Sequence, residues 1–249
     1  MITRQIIIIA VVGGVIFSTV PSWLYASGED KVIESVNQLY EVILNGPKEE
    51  IIPARAKIRK MMESYFRDQG IQLKSYWLPI KQGRWKITQG NTTKYTHQGK
   101  NQFSWDFELV DVNGHLHPDG IPHKEKPKEN YSYGMPIYAV EKGRVWLRDG
   151  GVDGKEPSNI IVIHHDDGTR AIYDHIRPDG FKVKKGDHVK RGQIIGYIGY
   201  TGTSYPHIHF SIKMKEADNW TLPVRFKKYY LTDPKTSEVK KVNNGVPVE

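Results

Sequence analysis

The sequence predicts a mainly β, antiparallel body carrying an N-terminal helical segment. Glycine is frequent, with 23 residues placed mostly between short apolar runs, as in strands joined by tight turns. Several of those runs alternate apolar and polar residues, most clearly Phe103 to Leu109 and Ile208 to Ile212. Alternation with a period of two marks a half-buried strand. A helical period is carried by the residues before Gly70, and from Ile71 onward the chain changes character.

Residues 1–26 read as a secretory signal peptide. Arg4 supplies the early positive charge, Ile6 to Val20 the apolar run, and Ala26 the residue before cleavage. The run is shorter than the ~20 residues of a membrane span, and a retained N-terminal anchor is the alternative. Either way the body is exported, to the periplasm or cell envelope. Residues 27–70 form the helical segment. Ile33, Val36, Tyr40 and Ile43 make one stripe, closed by Asn45-Gly46-Pro47. A second helix from Lys48 to Gln69 has Ile51, Ile58, Met62 and Tyr65 as its stripe and Gly70 as its stop. Its many charges form a solvated opposite face, and docking on the body is the expected role of both helices.

Residues 71–230 are the expected β domain. Strands are read at Trp77 to Ile80, Trp85 to Ile87, Phe103 to Leu109, Met135 to Val140, Gly143 to Leu147, Asn159 to His165 and Thr169 to Ile176. The turn Asp166-Asp167-Gly168 joins the last two. Trp220 to Phe226 is a final edge strand, and residues 231–249 read as a loose tail.

The chain has no cysteine. Disulfides, thiolate ligands, a cysteine nucleophile and a lipidated cysteine are therefore excluded, and a metal must be held by His, Asp or Glu. The net charge of +8 fits adhesion to an anionic envelope surface. Nucleic acid is a poor partner, because the chain reads as exported and shows no binding motif. Phosphate loops, dinucleotide fingerprints and a Gly-x-Ser-x-Gly elbow are absent.

The candidate site residues come from the strand pattern. In Pro206-His207-Ile208-His209-Phe210, the two histidines and Ser211 share one strand face, while Ile208, Phe210 and Ile212 share the other. Phe103, Trp105, Phe107 and Leu109 similarly leave Ser104, Asp106 and Glu108 on one face. His97 precedes that strand in a Gly-containing turn. Ala171, Tyr173 and His175 share a face, with Tyr173 either lining a cleft or packing in the core. Asp174 points the other way and is not expected to orient His175. Residues 111–133 are polar and carry a second His-x-His, His115 and His117, and then His123. The hairpin signal Asn113-Gly114 precedes them, but no apolar strand backs them, so they read as a surface insertion bordering a cleft. His188 reads as exposed.

Together these segments resemble the lysostaphin-type (LytM-like) zinc endopeptidases of bacterial cell walls. The resemblance rests on His97…Asp106-Phe107, Gly134-Met135-Pro136, Gly143-Arg144-Val145, Tyr173-Asp174-His175, Gly192-Gln193-Ile194-Ile195-Gly196 and Pro206-His207-Ile208-His209-Phe210, in that order, over about residues 77 to 226. It implies a barrel-sandwich-like antiparallel β domain of the duplicated hybrid motif type. It also implies one Zn2+ per chain held by His97, Asp106 and His209, with His175 and His207 catalytic and peptidoglycan peptides as substrate. Three N/O ligands leave a fourth zinc position open for water, as in catalytic zinc sites. The sequence departs from the compact family pattern His-x-x-x-Asp, because eight residues separate His97 from Asp106. Longer-spaced relatives carry an aromatic before the Asp-Phe pair, and Trp105 fits them. The insertion at 111–133 is a second departure.

Three other readings compete. A non-catalytic LytM-like domain would bind cell wall and activate another hydrolase, but such domains typically lack several of the five residues that are present here. A biotinyl or lipoyl carrier shares the turn pattern of Val183 to Gly196, yet Lys213-Met214-Lys215 follows the His pair rather than sitting in a hairpin between half-motifs. An iron or manganese cupin would need a Glu soon after the His pair, and Glu216 is too distant.

Overall fold

Two helices packed on each other precede the β body. A computed structural model describes residues 28–81, 83–93, 96–121, 124–214 and 220–226. The expected signal segment 1–26, His123 and the tail 231–249 lie outside the described residues. Helix α1 spans Gly28–Asn45 and α2 spans Lys48–Asp68. Val36, Tyr40 and Ile43 of α1 are buried, as the stripe predicts. On α2 the buried residues are Ala54, Ile58, Met62 and Phe66, a strict four-residue repeat. Ile51 and Tyr65 are only half-buried, so the seam runs through Phe66 rather than Tyr65. No helix of the described residues is long and apolar enough to cross a membrane.

The strands are β1 Ser75–Tyr76, β2 Arg84–Gln89, β3 Trp105–Val110, β4 Pro136–Tyr138, β5 Gly143–Arg148, β6 Ile160–His164, β7 Thr169–Asp174, β8 Ile176–Phe181, β9 His188–Val189, β10 Ile194–Ile198, β11 Ile208–Met214 and β12 Arg225–Phe226. Seven of them form one sheet in the order β2-β3-β11-β7-β6-β5-β9, and a smaller sheet runs β4-β10-β8. All pairings within these two sheets are antiparallel. The core lies on one face of the large sheet, where Ile163, Ala171, Tyr173, Ile208, Phe210 and Ile212 are fully buried. Alternation dictates this, since successive strand residues face opposite ways.

Three strand expectations change. Trp77 to Ile80 is not a strand, because Pro79 has no N–H for a ladder. Its carbonyl still accepts from Tyr138 N at 2.8 Å, and Leu78 and Ile80 are buried. The final edge strand shrinks to two residues that pair in parallel with β1. The strand expected from Thr169 to Ile176 breaks at His175, whose φ is +63°. Asn113-Gly114 makes a turn, with Gly114 N donating to Asp111 O at 3.1 Å. The segment it opens forms no strand among the described residues.

The β6–β7 turn holds a buried neutral histidine. His165 Nδ1 donates to Thr169 Oγ1 at 2.8 Å, and that hydroxyl donates in turn to Asp167 at 2.6 Å. Its Nε2 is buried without a partner among the described residues. Burial pushes the imidazole down to about 4 from the ordinary 6.5. In the unfolded chain this histidine takes up a proton as pH falls through 6.5, while the folded protein refuses it until about 4. Its contribution is therefore intact above 6.5 and is lost as pH falls through that window. Denaturant unfolding should show His165 costing about 2 kcal/mol between pH 7 and pH 5. His165→Gln should shrink the pH 7 to pH 5 stability gap by that amount; an unchanged gap would contradict the burial argument.

Candidate metal and catalytic centre

Strands β3, β11 and β7 set the site. Asp106 of β3 lies opposite His209 of β11, and His209 lies opposite Asp174 of β7. Residues directly opposite in a ladder present side chains to the same face. Trp105, Phe107, Ile208 and Phe210, all buried, anchor the backs of β3 and β11. This leaves Asp106 and His209 projecting into a cavity of about 680 Å³. His175, His207, Tyr205, Asn101 and Lys124 also line it.

His97 reaches the same point from a loop. Its Nδ1 donates to Gly90 O at 2.8 Å, which fixes the tautomer and turns the Nε2 lone pair inward. Nε2 lies 3.2 Å from His209 Nδ1 and 3.2 Å from Asp106 Oδ1. His209 Nδ1 lies 2.8 Å from Asp106 Oδ1. These three atoms converge as one candidate metal-holding group. Tetrahedral bonds of roughly 2.0–2.1 Å put ligand atoms about 3.3 Å apart, so the donor set suits zinc in both chemistry and size. Burial raises Asp106, but the neighbouring imidazoles of His207, His209 and His97 outweigh that and hold the carboxyl well below its usual range. Burial lowers His209, and its bond to Asp106 overturns this and raises it.

The helices brace the loop that carries His97. Tyr40 OH donates to His97 O at 3.0 Å, and Arg55 Nε donates to Thr92 O at 3.1 Å. Tyr40→Phe should cost about 1 kcal/mol of stability and weaken zinc affinity several-fold, read by competition with a chromogenic chelator. Unchanged affinity would show that the loop holds its shape without the helices.

His175 and His207 stand on the other side of the cavity, with ring centroids 4.4 Å apart. His175 Nδ1 donates to Thr201 O at 2.7 Å and His207 Nδ1 to Tyr205 O at 3.1 Å. In both, Nε2 is then the proton-free nitrogen. Burial pushes His207 down to about 3 and lowers His175 as well. The positive φ of His175 corrects the alternation argument. Tyr173, fully buried, accepts from Val140 N at 2.9 Å in the core. His175 swings instead to the cavity side. Asp174 therefore does contact it: Asp174 Oδ1 accepts from His175 N at 2.9 Å and lies 3.9 Å from Nδ1.

The site also contains groups that the sequence did not signal. The Thr201 and Gly90 carbonyls could not be found, since a backbone acceptor has no residue signature. Ser158 Oγ contacts Asp174 and sits 3.3 Å from His175 Nδ1. Gly202, with φ +71°, lets the 199–203 loop approach, because a Cβ there would meet Ser158 Cβ at 2.6 Å. His117, expected on the surface, is fully buried, while His115 is exposed. Neither joins the three-donor group.

A family profile described as Peptidase family M23 matches residues 129–220. Lipoprotein NlpD of Yersinia enterocolitica is 38% identical over 84 residues, 34% of this chain and 82% of that protein. Glycyl-glycine endopeptidase ALE-1 of Staphylococcus capitis is 42% identical over 82 residues, 31% of this chain and 21% of its own. Murein hydrolase activator NlpD of Escherichia coli (strain K12) is 37% identical over 84 residues, 34% of this chain. The chain spans 21% of the length of each of the last two relatives.

Proposed function

The chain belongs to peptidase family M23, and from that premise we propose that it is an exported zinc metalloendopeptidase that hydrolyses peptide bonds in peptidoglycan. One observation carries the proposal: Asp106 and His209 of the His97–Asp106–His209 group line one cavity together with two neutral imidazoles, His175 and His207. His97 Nε2, Asp106 Oδ1 and His209 Nδ1 would hold the ion. Bound zinc supplies a Lewis acid that polarises a carbonyl and brings the pKa of water down to about 7.

The chain's own groups then move the protons. His175 takes the proton of the attacking water at Nε2, the atom that its bond to Thr201 leaves free. The imidazolium so formed is favoured by Asp174, 3.9 Å from Nδ1. The proton taken up at His175 Nε2 then passes to the leaving amine, and His207, with Nε2 3.8 Å from Asp106 Oδ1, is the second catalytic imidazole beside the reacting group. Export accords with the reading of residues 1–26 as a signal peptide, and peptidoglycan with the relative named as a murein hydrolase activator.

That relative's name also favours a second reading, in which the domain activates another hydrolase. Two measurements on the protein separate them: zinc per chain, and amino groups released from purified peptidoglycan. One zinc per chain, with release abolished by a chelator and restored by zinc, is the expected result. A protein that binds no zinc and releases nothing alone, yet increases release by an added hydrolase, would overturn the enzyme reading.

A further inference from the structure

We propose that a row of basic side chains on the site face of the large sheet is a subsite for a carboxylate of the peptide substrate. The row follows from strand register. His188 of β9 lies opposite Arg144 of β5, Arg144 opposite His164 of β6, His164 opposite Arg170 of β7, and Arg170 opposite Lys213 of β11. Opposite residues share a face, so five basic side chains stand side by side across five strands. At about 4.8 Å per strand the row is roughly 19 Å long.

This face is the one that bears the candidate centre. Lys213 is four residues from His209 on β11, and Arg170 is four from Asp174 on β7. An even spacing keeps them on one side, about 13 Å from the centre along the strands. Between them runs an uncharged row, Trp146, Val162, Ile172 and Ser211, in which the indole is 39% exposed. Lys213 Nζ donates to Asn101 Oδ1 at 2.7 Å, and Asn101 lines the cavity. The basic row is thus continuous with the place where the peptide bond would be cut.

Positive charge is crowded along the row. Burial and the neighbouring Arg170 both lower His164, and burial, Arg170 and Lys100 all lower Lys213. The carboxylates of the adjoining turns are engaged elsewhere: Asp166 with Lys142, Asp167 with Lys74 and Glu141 with Arg191. An anion laid across Arg144, His164 and Lys213 would relieve the repulsion. An extended peptide covers 13 Å in about four residues, and Arg144 lies three strands, about 14 Å, across from Lys213, so the carboxylate would lie about four to six residues from the scissile bond.

The subsite rests on the peptidase reading, and its test separates the two. Soluble cross-linked peptides from purified peptidoglycan are prepared in native form and with their carboxyls converted to amides by carbodiimide and ammonia. The zinc-loaded protein should show a KM about tenfold lower for the native form at low salt, an advantage that fades at high salt. Arg144 is exposed, so Arg144→Glu should fold. It should raise KM for the native form about tenfold and leave kcat and the amidated substrate unchanged, while Arg144→Lys keeps the preference. If neither form is cut, equilibrium binding of the same pair still decides: preference for the native form upholds the subsite and only hydrolysis falls. Equal affinity for both forms overturns the subsite. So does an Arg144→Glu variant that keeps the preference but no longer adsorbs to phosphatidylglycerol vesicles, which would assign the face to an anionic surface.

Discussion

His209→Ala is expected to leave the chain without zinc and to lower kcat/KM on peptidoglycan by at least about a thousandfold, ~4 kcal/mol of transition-state stabilisation. His209 Nδ1 lies 2.8 Å from Asp106 Oδ1 and 3.2 Å from His97 Nε2, one corner of a three-donor triangle. Its removal leaves two donors for an ion that needs three from the protein. Changes to groups that merely orient a ligand already cost about 10–100-fold in metal affinity, so loss of a ligand should exceed that. The fold should survive, because Ile208 and Phe210 on the other face of β11 stay in the core. Zinc per chain, activity and thermal unfolding of the metal-free protein together check the expectation. A variant that keeps one zinc per chain would remove His209 from the ligand set.

Substitution of His175 separates metal binding from proton transfer. His175→Ala should retain zinc and lose about 10²–10⁴-fold in kcat, the usual worth of a positioned base. A second substitution uses the backbone. The φ of +63° at His175 costs a non-glycine residue about 1–2 kcal/mol, and glycine escapes that cost. His175→Gly should therefore be as inactive as His175→Ala but more stable by about 1 kcal/mol. The chain would be keeping a strained histidine at a point where glycine is easier, as functional sites often do. Equal stability of the two variants would argue against strain, and near-parental activity in either would remove the base assignment.

Much of the candidate site was legible because strands convert spacing into direction. His209 with Asp106 on one face, and Ile208 and Phe210 on the other, follow from a period of two. The same rule failed at His175. Alternation grouped it with Ala171 and Tyr173, but the strand ends at Asp174 and the next residue turns the other way. His97 could be named only by resemblance, since its loop has no period and its position depends on Gly90 and on helices far off in the sequence. Within residues 111–133, the lack of a backing strand suggested exposure. His117 is buried all the same, because a segment without a strand can still fold over a side chain.

The bracing of the body by the helices bears on the order in which the protein is built. Tyr40 and Arg55 hold residues 92–97, and Arg59 donates to Pro223 O at 2.7 Å and Val224 O at 3.1 Å. The helices are synthesised first, yet their last partners come 164 and 165 residues later. His97 and Asp106 likewise wait for His209, 112 and 103 residues on. Contacts of such separation close late in folding. A growing chain therefore has no finished His97–Asp106–His209 group until residue 209 has been made and has paired with β3.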